Sequence, residues 1–497
     1  MAENLKTKTV KGVWWSFLEK YSTQGVSFIV TLVMARILTP ELYGLIGMTA
    51  LYMSLGQVFI DGGFANALIQ KDKNRTDADF STVFWINITI SLITYSLLFV
   101  FAPLIAHINK EEILIPIIRI YGLNLIVSSL SAVNKVKLAI DINFKSQLMI
   151  SLIAASISGV AGIICALNHL GVWAIVIQSN VSAVLTTILS FIYVKWKPAL
   201  VFSKDSFTSL FRFGSKLLAS QIINTAYVEL YKTVIGLKYT KKEVGLYSKA
   251  GLFVQMVSTY MAQAMTRVSF PVLSRIQDDN EKLVGAYRPF ITMVAFIVFP
   301  LTLGFCGIAE PLIVSLIGYK WIGAIPIIRI LAFAYLLDGI TLVNLNLLYV
   351  KGKSNVVLKL EIIKKSIAIC ILLYTVRISV NAICIGQVIY AFIALILNTS
   401  NTKKLLNYGF LHQIRDLLPY FLCSVIMAAV ALGIGNIFDN YWLILAICII
   451  VCPIVYFLLC YLFRLKALYE MVSIITSNSF CPEWLNRLFK RLFPELN

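Results

Sequence analysis

Apolar run after apolar run, each about 20 residues long, leaves this chain little choice of fold. About fourteen such stretches follow one another, centred near Phe28, Leu55, Leu92, Leu125, Ser156, Leu185, Ala226, Val257, Val294, Ala334, Ala368, Val388, Ala428 and Ile450. Most connections between them run to fewer than about 15 residues. In lipid a backbone amide finds no water, so a crossing segment must satisfy its own polar groups, as an α-helix does. The alternating strands of about 10 residues that a membrane barrel needs do not occur. The expected fold class is all-α integral membrane, with about 14 transmembrane helices. Composition enters here as a check. Residues are 59% hydrophobic and 13% charged, against about 25% charged in soluble proteins.

Lysine and arginine set the expected orientation. With the N-terminus in the cytoplasm, the inner segments hold Lys71, Lys73, Arg75, Lys135, Lys137, Lys145, Lys195, Lys197, Lys204, Arg275, Lys282, Arg288, Lys351, Lys353, Lys359, Lys403, Lys404 and Arg415. The tail adds Arg464, Lys466, Arg487, Lys490 and Arg491, while the outer loops hold little beyond Arg36, Lys110, Lys238, Lys241, Lys242, Lys320 and Arg377. Inner cations outnumber outer ones more than threefold, and both termini are expected inside. The net charge of +19 therefore reads as topology signal, not as a nucleic-acid surface. Glu19 and Lys20 interrupt the first apolar run and no small-residue cleavage site follows, so it is expected to be a mature span and not a signal peptide.

The chain also repeats itself. Ile115-Pro116-Ile117-Ile118-Arg119-Ile120 returns as Ile325-Pro326-Ile327-Ile328-Arg329-Ile330, and Val133-Asn134 returns as Val343-Asn344. Pro-Leu-Ile stands upstream of both copies, at Pro103 and Pro311. Thr39-Pro-Glu-Leu-Tyr-Gly44-Leu45 matches Thr240-Lys-Lys-Glu-Val-Gly245-Leu246 at threonine, glycine and leucine. Spans one to six thus repeat as seven to twelve. Six is even, so the two copies are expected to share one orientation, related by an axis along the membrane normal. The expected divisions are residues 1–205 (spans 1–6), 206–410 (spans 7–12), 411–463 (two extra spans) and a tail, 464–497. In that tail Trp484 to Phe493 interleaves aromatic and basic residues at helical spacing, as a helix lying on an anionic leaflet would.

Known enzyme motifs do not occur: no G-x-S-x-G, no P-loop, no H-E-x-x-H. Nine cysteines form no C-x-x-C and sit mostly within apolar runs; three histidines are scattered. Neither a metal nor another cofactor is expected. What remains are charges within spans: Glu19 and Lys20, Asp61, Arg119, Glu229 and Lys232, Lys249, Arg329 and Asp338, Lys364 and Lys365. One lysine or arginine at a helix centre costs about 2.5–3.5 kcal/mol. These groups must face water, a counter-charge or the headgroups. Glu361 with Lys365, and Glu229 with Lys232, are spaced to pair along one helix face. Arg119, Arg329, Lys232, Lys249 and Lys20 are the candidate lining of a substrate cavity. Asp61, Glu19, Glu229 and Asp338 are candidate gating or charge-pair residues. Asp61 precedes two glycines, which permit close helix approach or local unwinding, and a span-one or loop cation is its expected partner.

Three stretches carry a family resemblance. One runs from Ala35-Arg36 through Pro40 and Gly44 to Asp61-Gly62-Gly63-Phe64-Ala65-Asn66 and Trp85-Ile86-Asn87; the second from Val234-Ile235-Gly236 to Gly245-Leu246-Tyr247-Ser248-Lys249-Ala250. The third is Phe270-Pro271 through Arg275 to Asp278, with Gly318-Tyr319-Lys320-Trp321 and Lys351-Gly352-Lys353-Ser354. Together they resemble the polysaccharide-exporter branch of the MOP superfamily, the Wzx-type flippases. The resemblance implies fourteen helices in two six-helix lobes around a cationic cavity, and alternating access. It implies movement of an undecaprenyl-diphosphate-linked oligosaccharide from the inner to the outer leaflet of a bacterial inner membrane. Membrane lipids, a polysaccharide polymerase and glycosyltransferases are the implied partners; no nucleic acid and no enzyme activity are. Many relatives place an aspartate before Val-Ile-Gly; here Tyr231 stands there, with Glu229 two residues earlier. No role tied to that acid carries over. The rival readings are a cation-coupled small-molecule exporter, a lipid II flippase, and a membrane polysaccharide polymerase, for which the short loops leave little room.

Overall fold

The computed structural model describes residues 2–61, 63–71 and 75–476. In order, these form α1 (Ala2–Ile37), α2 (Pro40–Asp61), α3 (Phe64–Gln70), α4 (Asp77–Asn109), α5 (Leu114–Ile140), α6 (Phe144–Leu167), α7 (Trp173–Val194), α8 (Lys204–Lys238) and α9 (Lys241–Arg275). There follow α10 (Asn280–Gly307), α11 (Ala309–Ile317), a 3₁₀ turn (Tyr319–Trp321), α12 (Ala324–Val350), α13 (Ser354–Thr375), α14 (Val380–Leu406), α15 (Phe410–Ile437), α16 (Tyr441–Leu462) and α17 (Lys466–Thr476). Each expected span centre falls in a different long helix. Ten helices are long and apolar enough to cross a membrane. The other long ones among the described residues are α1, α8, α9 and α13. The stretch Trp484–Phe493 lies outside the described residues.

The chain marks its helix starts with side chains that accept from otherwise unpaired amides. Thr76 and Asp79 form a reciprocal capping box at the head of α4. Asn143, Ser203, Asp279, Ser379 and Asn440 cap α6, α8, α10, α14 and α16. Of the two glycines after Asp61, Gly62 lies outside the described residues and Gly63 permits both a turn and a close approach. Gly63 takes φ +75° between α2 and α3, and a Cβ there would stand 2.3 Å from the carbonyl oxygen of Gly214 in α8.

Packing divides the chain into two compact units, Met1–Ser248 and Lys249–Asn497. That division falls within α9, whereas the sequence repeat restarts before α8. The difference arises because α8 packs on α2, α3 and α4. In the first unit α1 lies on α6, α6 on α7, α7 on α5 and α5 on α4. In the second, α12 lies on α14, α14 on α13, and α10 between α12 and α15. The α5–α7 and α12–α14 contacts are repeat counterparts and share a buried polar link. Asn134 Nδ2 donates to Ser190 Oγ at 3.4 Å, and Thr402 Oγ1 donates to Asn344 Oδ1 at 2.9 Å.

The two expected extra helices, α15 and α16, belong to the core of the second unit. Tyr420, Cys423, Met427, Cys448, Cys452 and Tyr456 pack with Phe296, Phe299 and Leu303 of α10. The Tyr456 hydroxyl donates to the Phe296 carbonyl at 2.9 Å. Outward faces are apolar instead of polar. Leu92, Ile93, Leu97, Val100 and Leu104 on α4, and Ile449, Ile450, Ile454, Phe457 and Leu458 on α16, are all exposed. Such faces suit lipid and not water.

Candidate functional site

The four long helices outside the apolar ten carry most of the charge predicted within spans, and the structure answers those charges locally. Glu19 of α1 accepts from Ser151 of α6 at 3.1 Å. Lys232 donates to Glu229 one turn earlier on α8 at 2.8 Å, and Ser54 of α2 donates to the other Glu229 oxygen at 3.3 Å. Lys249 is buried and Lys20 exposed. On α13 the carboxylate of Glu361 takes Lys364 at 2.5 Å. This i,i+3 pairing uses the buried lysine. Lys364 also faces the charge of Asp338 on α12. Asp61, at the end of α2, accepts from Gln57 and lies in the field of Lys135 on α5. Lys135, read as an inner-segment cation, belongs to α5; the cation whose field reaches Asp61 thus comes from the fourth span, where span one or a loop had been expected.

The two repeat arginines occupy equivalent helices but unlike surroundings. The Arg119 guanidinium lies 4.2 Å from the centre of the Phe99 ring of α4, and its buried Nε has no hydrogen-bond partner among the described residues. Tyr95 donates to the Arg119 carbonyl at 3.1 Å. Arg329 lies 3.8 Å from Glu310 of α11, and both side chains are about 40% exposed (39% and 41%).

On the face of α5 away from Arg119 runs a polar stripe with helical spacing: Asn124, Ser128, Ser131 and Lys135. It faces Ser179, Ser182 and Thr186 of α7 across a cavity of about 190 Å³. A second cavity, of about 290 Å³, shares Ser179 and Ser182 and is also lined by Ser27, Tyr121, Ser158 and Gln178. Asn124 Nδ2 donates to the Ser179 carbonyl at 3.0 Å, and Ser128 donates to Asn124 Oδ1 at 3.1 Å. Hydroxyls, amides and one ammonium make the polar part of this lining, beside Val30, Ala155, Ile175 and Ala183; a carboxylate is not among its residues. The arrangement can solvate a polar or anionic group, and it also ties α5 to α7. The sequence reading passed over it, although the spacing of the stripe was visible. Serine and asparagine carry no charge, and the search had followed charge.

Comparison with known proteins adds the family. Residues 33–326 match the family model described as polysaccharide biosynthesis protein. The chain is 27% identical over 335 residues to the succinoglycan biosynthesis transport protein ExoT of Rhizobium meliloti, covering 67% of this chain and 68% of that one. It is 26% identical over 367 residues to the lipopolysaccharide biosynthesis protein WzxC of Escherichia coli, covering 73% and 74%. Its fold resembles that of lipid II flippase MurJ in an inward closed conformation, with a TM-score of 0.75 at 16% identity over 91% of this chain and 98% of that one.

Proposed function

The chain belongs to the polysaccharide biosynthesis protein family of membrane transporters, and from that membership we propose that it flips a lipid-linked oligosaccharide. The substrate is an oligosaccharide on undecaprenyl diphosphate, carried from the inner to the outer leaflet for surface polysaccharide assembly. The family match over residues 33–326 carries this reading. Fourteen spans in two parallel repeats, with both termini cytoplasmic, are the architecture proposed for it.

The diphosphate is the strongest charge on such a substrate, and cations within the spans would receive it. Arg329, Lys249, Lys20, Arg119 and Lys232 are proposed for that work. The pairing of Lys232 with Glu229 and of Arg329 with Glu310 supports a divided task. A paired cation can exchange its carboxylate for a phosphate without ever lying bare in lipid. The sugar head crosses inside the protein while the polyprenyl tail stays in lipid.

The test is reconstitution with a fluorescent undecaprenyl-diphosphate oligosaccharide in one leaflet. Wild-type protein is expected to deliver it to the other. Arg119→Gln with Arg329→Gln is expected to abolish delivery while the protein still inserts. Normal surface polysaccharide in cells carrying that double variant would sink the cation assignment. Transport of cationic drugs, with no movement of the lipid-linked sugar, would replace the substrate reading.

A further inference from the structure

Two copies of one helix-start motif lie against each other in the first unit. Thr39–Leu45 opens α2 and Thr240–Leu246 opens α9. A Cβ on Gly44 would stand 1.7 Å from the carbonyl oxygen of Lys241; one on Gly245 would stand 1.9 Å from that of Pro40. Pro40 and Lys241 are the first residues of their helices. The contact is therefore reciprocal: each glycine rests on the opening carbonyl of the other helix, as in a twofold-related interface. One turn further in, a Cβ on Gly47 would lie 2.7 Å from Val244 Cγ1 and 3.1 Å from Ser248 Oγ. A second tie holds the same place. Lys241 Nζ reaches the Glu111 carboxylate, in the turn after α4, at 2.9 Å.

We infer that this reciprocal glycine contact is the outer closure of the transport path, held shut here and parting when substrate leaves. The inference rests on the transport reading and on its orientation, which puts the starts of α2 and α9 on the outer side. At Gly44 and Gly245 backbone lies on backbone, and separation breaks Cα–H···O contacts, the seat of Val244 and Ser248 on Gly47 and one partly exposed ion pair. The start of α9 does not depend on the contact. Thr240 and Glu243 cap it reciprocally, with Thr240 N donating to Glu243 at 3.0 Å and Glu243 N to Thr240 Oγ1 at 3.3 Å. The helix end therefore stays formed when the two starts separate. Surfaces that fit this closely match in one arrangement only, so the joint is two-state and not continuously deformable.

The full-length protein in intact cells provides the test. Gly47→Cys with Val244→Cys places two Cβ atoms within about 4 Å, in the range for a disulfide. Ser54→Cys, about two turns deeper on α2, reports opening by its reaction with a membrane-impermeant maleimide added outside. Oxidation of the pair is expected to cut that labelling at least tenfold and to stop polysaccharide export, and reductant to restore both. Undiminished labelling or export with the crosslink complete overturns the closure. Reversible loss of labelling in a protein that never exports polysaccharide supports the closure and refutes the substrate instead. Gly44→Ala, without any crosslink, is expected to raise Ser54→Cys labelling several-fold; unchanged labelling in protein that inserts normally overturns the role of the glycines.

Discussion

At the scale of the residue, Asp79 shows how a charge can be held inside this bundle. Asp79 has no exposed surface; it accepts from Lys71 at 2.7 Å and from the Thr76 amide at 2.9 Å. Replacing it with alanine removes the carboxylate half of the α4 capping box and the counter-ion of Lys71 together, while Thr76 still caps the residue-79 amide. Losing one partner of a buried pair costs about 3–5 kcal/mol. Lys71 is 30% exposed and can turn to water, so Asp79→Ala is expected near the lower end, about 3 kcal/mol. A thermal unfolding series in detergent checks it, and a shift equal to that of Asp77→Ala, whose side chain is 82% exposed, would refute the pairing. Spacing alone foretold the Glu229–Lys232 pair, because one turn of helix brings those groups together. It did not foretell that the field of Lys135 reaches Asp61, or that Phe99 lies beneath Arg119. Those partners come from other helices, and their choice depends on helix rotation, which an apolar run does not encode.

At the scale of the element, the apolar runs marked a centre in every long helix among the described residues, ten of which are apolar enough to cross a membrane. They did not mark α3, α11 or α17. These are too short to cross, and they begin where local geometry turns the chain: at Gly63 for α3, and after the Ile308 break for α11. Nor did the apolar runs reveal that α15 and α16 are integral to the second unit, since the repeat ends before them. Their contact with α10 leads to a clear expectation. A chain ending after Leu406 exposes Phe296, Phe299 and Leu303, which are at most 2% exposed in the whole protein. It also leaves the Phe296 carbonyl without Tyr456. Such a chain is expected to be degraded in cells, whereas Tyr456→Phe in the full chain should cost only about 1 kcal/mol. Stable accumulation of the truncated chain would show that the pair is an appendage after all.

At the scale of the whole molecule, the chain carries no P-loop, so the proposed transport draws its energy from a gradient or a partner. The membrane potential is available to any net charge that crosses. A potential of 100 mV is worth about 2.3 kcal/mol per charge. The diphosphate of the proposed substrate carries about two negative charges, and the cell interior is negative. Outward movement without a following cation is then favoured by about 4.6 kcal/mol, more than three decades in the leaflet ratio. Proteoliposomes with an imposed potassium diffusion potential test this directly. With valinomycin and an interior-negative potential, labelled lipid-linked sugar should gather in the outer leaflet, and reversing the gradient should reverse the accumulation. If a cation accompanies each substrate, the dependence falls by about 2.3 kcal/mol per 100 mV for each charge compensated. The slope of leaflet ratio against potential therefore counts the charges moved per cycle. A flat slope means that the substrate charge is fully compensated, and the proposed field-driven export of a bare diphosphate then fails.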